Sequence, residues 1–165
     1  MNAKYYIDKL GLTKHVEGGA FKETYRADLI IENNALTPNF KGDKNASTGI
    51  YFLLEYGQFS AFHKIASDEM WHFYDGDTLT IYEIENDGTL ITHKLGRNIE
   101  AGETFQCVIK AGNWFGSRCE VANGFSLVGC TVAPGFDFAD FELANKSILQ
   151  NQHPHLANLI DEMTY

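Results

Sequence analysis

In the segment from Gly57 to Gly76, GQFSAFHKIASDEMWHFYDG, two residue types capable of proton chemistry stand close together, His63 and Glu69. An imidazole that titrates near neutrality can take a proton. A carboxylate held against it fixes the tautomer and stabilises the cation, so the pair reads as general acid–base machinery. The plainer alternative is a hydrogen bond bridging two strands, because buried polar groups need partners whatever their purpose. His72 follows three residues after Glu69; on a regular strand the two point to opposite faces, and only a bulge would bring them together. Lying between Trp71 and Phe73, it reads equally as a pocket residue or as part of an outer, interface-forming face. Two further clusters carry chemistry. Glu17-Gly18-Gly19 precedes Glu23-Thr24-Tyr25-Arg26, a turn beside alternating polar side chains that could close a pocket mouth around a polar ligand; as a bare hairpin, its glycines would serve only positive φ. Trp114 and Phe115, with Gln106 upstream, suit an apolar wall and one amide that orients a ligand, or simply the filling of a barrel. His15, His93, His153 and His155 show no partner spacing and read as surface residues.

The elements that must position these groups are strands. Ser47–Leu54 is a β-rich apolar run, Phe59–Ile65 alternates, and Met70–Tyr74 is dense in aromatics before the turn Asp75-Gly76-Asp77. Thr78–Glu85 and Thr89–Leu95 flank Asn86-Asp87-Gly88, the strongest hairpin signal in the chain. Phe105–Ile109, Trp114–Cys119 and Phe125–Val132 follow, each bounded by glycine. Ala3–Leu10 predicts a short helix with Tyr6, Ile7 and Leu10 on one face and Gly11 stopping it; Lys146–Gln150 and His155–Met163 predict two more. Short strands at intervals of ~8–12 residues argue for an antiparallel sandwich or barrel, an architecture that also protects exposed edges. With 165 residues, 44% of them hydrophobic, the chain suits one domain spanning residues 1–165. Its 22 acidic and 13 basic side chains give a formal charge of −9, which disfavours nucleic acid and anionic membranes as partners. No run approaches the ~20 apolar residues of a membrane span, and the charged start MNAKYYIDKL is unlike a signal peptide. Cys107, Cys119 and Cys130 cannot all pair and sit in apolar runs, so a reducing, cytoplasmic setting is expected.

The Gly57–Gly76 segment resembles the first cupin motif: a glycine, a His-x-His pair, a glutamate and a closing glycine at matching spacings, with Ile65 in place of the second histidine. Gly102–Cys119 resembles the second motif less closely, and Phe115 stands where metal-binding cupins place their last histidine. The blocks HVEGGAFKETYR, STGIYFLL, SDEMWHFYDGD, GETFQCVIKAGNWFG and GCTVAPGFDFADFE together resemble a family of small, largely uncharacterised single-domain cupins, from which Val16 departs where proline is common. The resemblance implies an all-β fold, a cupin double-stranded β-helix or jelly-roll barrel, with short N- and C-terminal helices and commonly a homodimer.

Many cupins hold a metal with three histidines and a glutamate. This chain keeps His63 and Glu69 but has Ile65 and Phe115, which lack donor atoms, at the other two places, so no metal or other cofactor is expected. The remaining pair is similar to the dyad of metal-free cupins that epimerise or isomerise nucleotide-linked sugars, removing a proton next to a carbonyl and often using a tyrosine as acid. Tyr25, Tyr51 and Tyr74 are the candidates, Tyr51 foremost, with His72 beside the dyad. Ligand contacts are expected from Glu17, Glu23, Tyr25, Arg26, Gln106, Trp114 and Phe115. The expected function is a metal-independent epimerase, isomerase or lyase acting on a small polar, carbohydrate-like molecule. The alternative is a module that binds a metabolite without turning it over. A base, a carboxylate and a tyrosine around one void would favour the enzyme, and a base with no acid opposite would favour binding.

Overall fold

Residues that alternate between apolar and polar in the sequence alternate between the inside and outside of two packed sheets. The computed structural model describes all residues, Met1–Tyr165. Helix α1 (Ala3–Leu10) is capped by the Asn2 side chain, which accepts from the Tyr5 N–H at 3.0 Å, and it ends at Gly11. The strands are β1 (Thr13–Lys14), β2 (Ala20–Arg26), β3 (Ile30–Ile31), β4 (Lys44–Asn45), β5 (Thr48–Glu55), β6 (Phe59–Lys64), β7 (Asp68–Gly76), β8 (Leu79–Ile84), β9 (Leu90–Leu95), β10 (Gln106–Ile109), β11 (Trp114–Cys119), β12 (Phe125–Ala133) and β13 (Glu142–Leu143). Helices α2 (Lys146–Gln152) and α3 (Ala157–Glu162) close the chain, α3 preceded by a 3₁₀ turn over Pro154–Leu156. That turn takes up the first residues of the predicted last helix, as Pro154 lacks the N–H and has its φ fixed.

One sheet has the order β1-β2-β5-β12-β7-β10 and the other β13-β6-β11-β8-β9, with β3–β4 a separate ribbon. All strand pairs are antiparallel, and strands distant in sequence lie side by side, as in a jelly roll. The β8–β9 hairpin closes over Asn86-Asp87-Gly88, where Asp87 accepts from the Thr89 N–H. Phe52 and Leu54 of β5, Trp71 and Phe73 of β7, Leu79 and Ile81 of β8, Phe115 of β11, and Val128, Cys130 and Val132 of β12 meet between the sheets as the main core. Each such side chain contributes ~1.5–3 kcal/mol by leaving water. The opposite faces are used as well. Phe62 and Ile84 pack under α2 and α3 through Leu149, Ile160 and Met163, while Leu53 and Leu127 pack under α1. The three cysteines are free, and no helix is long and apolar enough to cross a membrane.

Candidate functional site

At one end the sheets part around a cavity of about 360 Å³. β6 and β7 deliver His63 and Glu69 to it, and both are buried, at 4% and 7% exposure. The carboxyl group in contact with His63 is not that of Glu69 but that of Glu17, from the loop between β1 and β2. Its Oε2 lies 3.1 Å from His63 Nε2, and the residue is 7% exposed. This loop is tied to its neighbours. The Glu17 carbonyl accepts from the Ala61 N–H at 2.8 Å and from the Tyr165 hydroxyl at 3.2 Å. Gly18, at φ 111, runs so close to β6 that a Cβ would lie 2.0 Å from the Phe59 carbonyl oxygen. A side chain there is excluded by space as well as by backbone conformation.

The proton positions follow from the partners. A carbonyl only accepts, so the 2.7 Å contact between His63 Nδ1 and the Ala61 oxygen places a proton on Nδ1. Nε2 then presents a lone pair toward Glu17 Oε2, within reach of a proton held by either group. Burial pushes Glu17 up to about 7 and holds His63 below its usual value, so it disfavours the charged form of each. Burial also pushes Glu69 up to about 7, opposed by His63 and reinforced by the Glu17 charge. His15 joins this cluster. Its Nδ1 accepts from the Glu17 N–H and lies 3.6 Å from Glu17 Oε1, its ring packs edge-on against Phe21, and burial lowers its pKa.

The rim is built by a β-bulge and a strap. Glu23 lies opposite Ile50 and Arg26 opposite Thr48, with the register shifting between Glu23 and Tyr25. The extra residue brings Glu23 and Arg26, which regular alternation would separate, onto the cavity face as a bidentate pair at 3.0 and 2.7 Å. Arg26 Nη1 also donates to Asn45 Oδ1 and to the Phe136 carbonyl. The strap Phe136-Asp137-Phe138, which follows β12, supplies three lining residues. Buried Lys44 holds it by donating to Asp137, Asp140 and the Lys41 carbonyl.

Several expected site residues are directed elsewhere. Tyr51 is on the outer face of its strand, in the cluster under α1, with its ring against Tyr74, which lies over Gly129. Tyr25 is exposed and outside the cavity lining, turned away where the bulge restarts the alternation. His72 has the opposite parity to Glu69 on β7, and no bulge separates them; it bonds Thr131 and Gln106 on the outer face, which removes both His72 and Gln106 from the pocket. Trp114 faces α2 beneath the Lys64 ammonium. Phe115 stays in the core, its ring 4.1 Å from that of His63, and supports the imidazole without lining the cavity. His15, expected at the surface, is a wall of the site, and the strap residues and Thr48 were not anticipated. His93, also expected at the surface, bonds Glu83 at 2.7 Å.

The cupin metal position does not fit these residues. Ile65 and Phe115 offer no donor, both His63 nitrogens are engaged, and no three His, Cys, Asp or Glu side chains are grouped to hold an ion.

A Saccharomyces cerevisiae protein described as uncharacterized, YML079W, is 34% identical over 147 residues, covering 81% of this chain and 71% of its own. The structure of a hypothetical protein from Leishmania major superposes with a TM-score of 0.91 at 30% identity, covering 100% of this chain and 99% of that one. Protein SO0799 from Shewanella oneidensis gives 0.88 at 39% identity, with 100% and 98% covered. The model of a family described as Cupin superfamily (DUF985) matches residues 4–144, and the chain belongs to that family.

Proposed function

We propose that the cavity is the site of a metal-independent acid–base isomerase, epimerase or lyase acting on a small polar, carbohydrate-like molecule. The observation that carries this reading is the contrast between two kinds of buried carboxylate. Glu83, 2% exposed, accepts from the Lys110 N–H, Asn113 Nδ2 and His93 Nε2; these donors overcome its burial and hold it below the usual range. Glu17 and Glu69 lack such a set of donors and titrate near 7 beside a histidine and a void. A strut is best kept ionised, whereas a group that gives and takes protons works best with a pKa near ambient pH. In this reading Glu17, in contact with His63, delivers the proton, and Glu69 is the group that accepts.

The test is solvent-deuterium incorporation next to the carbonyl of hydroxy-aldehydes and ketoses, followed by NMR. Exchange is expected with the parent protein and should be abolished in His63→Ala. It should fall by ~10²–10⁴-fold in Glu17→Gln and Glu69→Gln, the usual worth of acid–base assistance. The outward placement of Tyr25, Tyr51 and Tyr74 favours the second reading, a binding module. Saturable binding of such a molecule with no exchange in any variant would establish it. We further propose a cytoplasmic setting, which three free thiols suit, and pairing with a second copy through the outer face that bears Met70, His72 and Tyr74.

A further inference from the structure

Metal-free cupins of the epimerase kind act on nucleotide-linked sugars, and a diphosphate needs cations or free N–H groups to receive it. This cavity has few to spare. Its lining contains four carboxyl side chains, Glu17, Glu23, Glu69 and Asp137, and one cation, Arg26. The guanidinium has five N–H donors, and four are engaged: two on Glu23, one on Asn45 and one on the Phe136 carbonyl. The nearby Lys44 ammonium is buried behind the strap, with Asp137, Asp140 and the Lys41 carbonyl as partners for its three N–H groups. The 3₁₀ turn Phe138–Asp140, which continues the strap, is capped by Asp137, whose Oδ1 accepts from the Ala139 N–H at 2.8 Å. An entering phosphate would meet rim carboxylates whose counter-charges are already taken.

We infer that the pocket excludes anions and takes a small, uncharged molecule bearing hydroxyl or carbonyl groups, with no phosphate and no nucleotide. The inference rests on the cavity being the ligand site and narrows the substrate class proposed for it. Glu23 acts as the filter, because it occupies the donors of Arg26 that would otherwise grip an oxyanion. Phe21, Phe136 and Phe138 supply the apolar faces against which the C–H groups of such a molecule would pack.

The experiment titrates the parent protein, Glu23→Ala and Glu23→Ala/Arg26→Gln with inorganic pyrophosphate, following the His15 and His63 ring resonances by NMR. Circular dichroism checks that each variant is folded. The parent should show no saturable shift. Glu23→Ala frees two guanidinium N–H groups and removes a negative charge, so it should show a saturable shift, at least ~10-fold tighter than the weakest binding the titration would detect in the parent. The double variant should return to the parent's behaviour. Saturable micromolar binding by the parent would overturn the inference, as would a folded Glu23→Ala variant that gains nothing, or a gain that survives loss of Arg26. Pyrophosphate is scored by binding alone. Failure of neutral sugars to exchange deuterium would therefore remove the acid–base reading and leave this result standing, and a phosphate-binding parent would do the reverse.

Discussion

Glu17, Glu69 and Glu83 are the same side chain placed in three buried settings, and pH tells them apart. Glu17 and Glu69 go from a reference value of 4.5 to about 7 on folding, so between those values the folded state binds more protons than the unfolded one. Their contribution is therefore fully present below about 4.5 and is lost as pH rises through 7. His63, held below 6.5, acts in the opposite sense: its share is lost as pH falls through its depressed folded value. The melting temperature should accordingly decline between about pH 5.5 and pH 8, and Glu17→Gln/Glu69→Gln should flatten that decline. A parent curve that rises over this interval would contradict the assignment. Glu83→Gln should behave differently, costing about 2–3 kcal/mol by chemical denaturation at neutral pH, since it turns an amide NH₂ toward donors that need an acceptor. The sequence made His63 and Glu69 legible because motif spacing and strand parity share a period. The pairing of His63 with Glu17 was not legible, as it depends on how a loop from a different element lies across β6. A signal was nonetheless present: two consecutive glycines directly after a glutamate mark a backbone held close against something.

Strand parity explains both the successes and the errors at the level of elements. The long strands from β5 onward and α1 were readable from alternation, turn residues and caps, whereas β2 showed only as alternating polar side chains beside a turn, and two-residue strands such as β1, β3 and β13 carry too little pattern to be seen. Parity correctly separates His72 from Glu69. It fails at Thr24, where one extra residue reverses the alternation and turns Arg26 inward while Tyr25 goes out. Gly18→Ala should destabilise the fold by more than about 1–3 kcal/mol, because its methyl group meets the Phe59 carbonyl, and the displaced Glu17 should lose its contact with His63. Urea denaturation measures the first effect and the His63 ring resonances the second. Lys44→Met should cost about 2–3 kcal/mol by leaving Asp140, whose side chain is 5% exposed, without its cation. It should also raise protease cleavage within the strap and the turn that follows it, residues 136–140, and a segment that stays as resistant as the parent's would show that Lys44 does not hold it.

Across the whole molecule, the two faces of the six-stranded sheet divide the work. The inner face builds the core and cavity, while the outer face presents Met70, at 37% exposure, and Tyr74, at 50%, beside the His72–Thr131–Gln106 cluster. If a second copy pairs there, light scattering of the parent will give twice the chain mass at micromolar concentrations, and Tyr74→Glu/Met70→Glu will give a monomer that keeps the melting profile of the cavity variants' parent. The bond from the Tyr165 hydroxyl to the Glu17 carbonyl spans 148 residues. The ribosome thus releases the loop bearing the acid long before it releases the residue that ties that loop down, and β6, which also holds it, gains its β13 partner only at residues 142–143. Contacts of such high sequence separation close late in folding. A nascent or truncated chain could then hold a folded sheet and still lack the charge arrangement of the site. Chemistry at Glu17 would then sharpen as that bond closes.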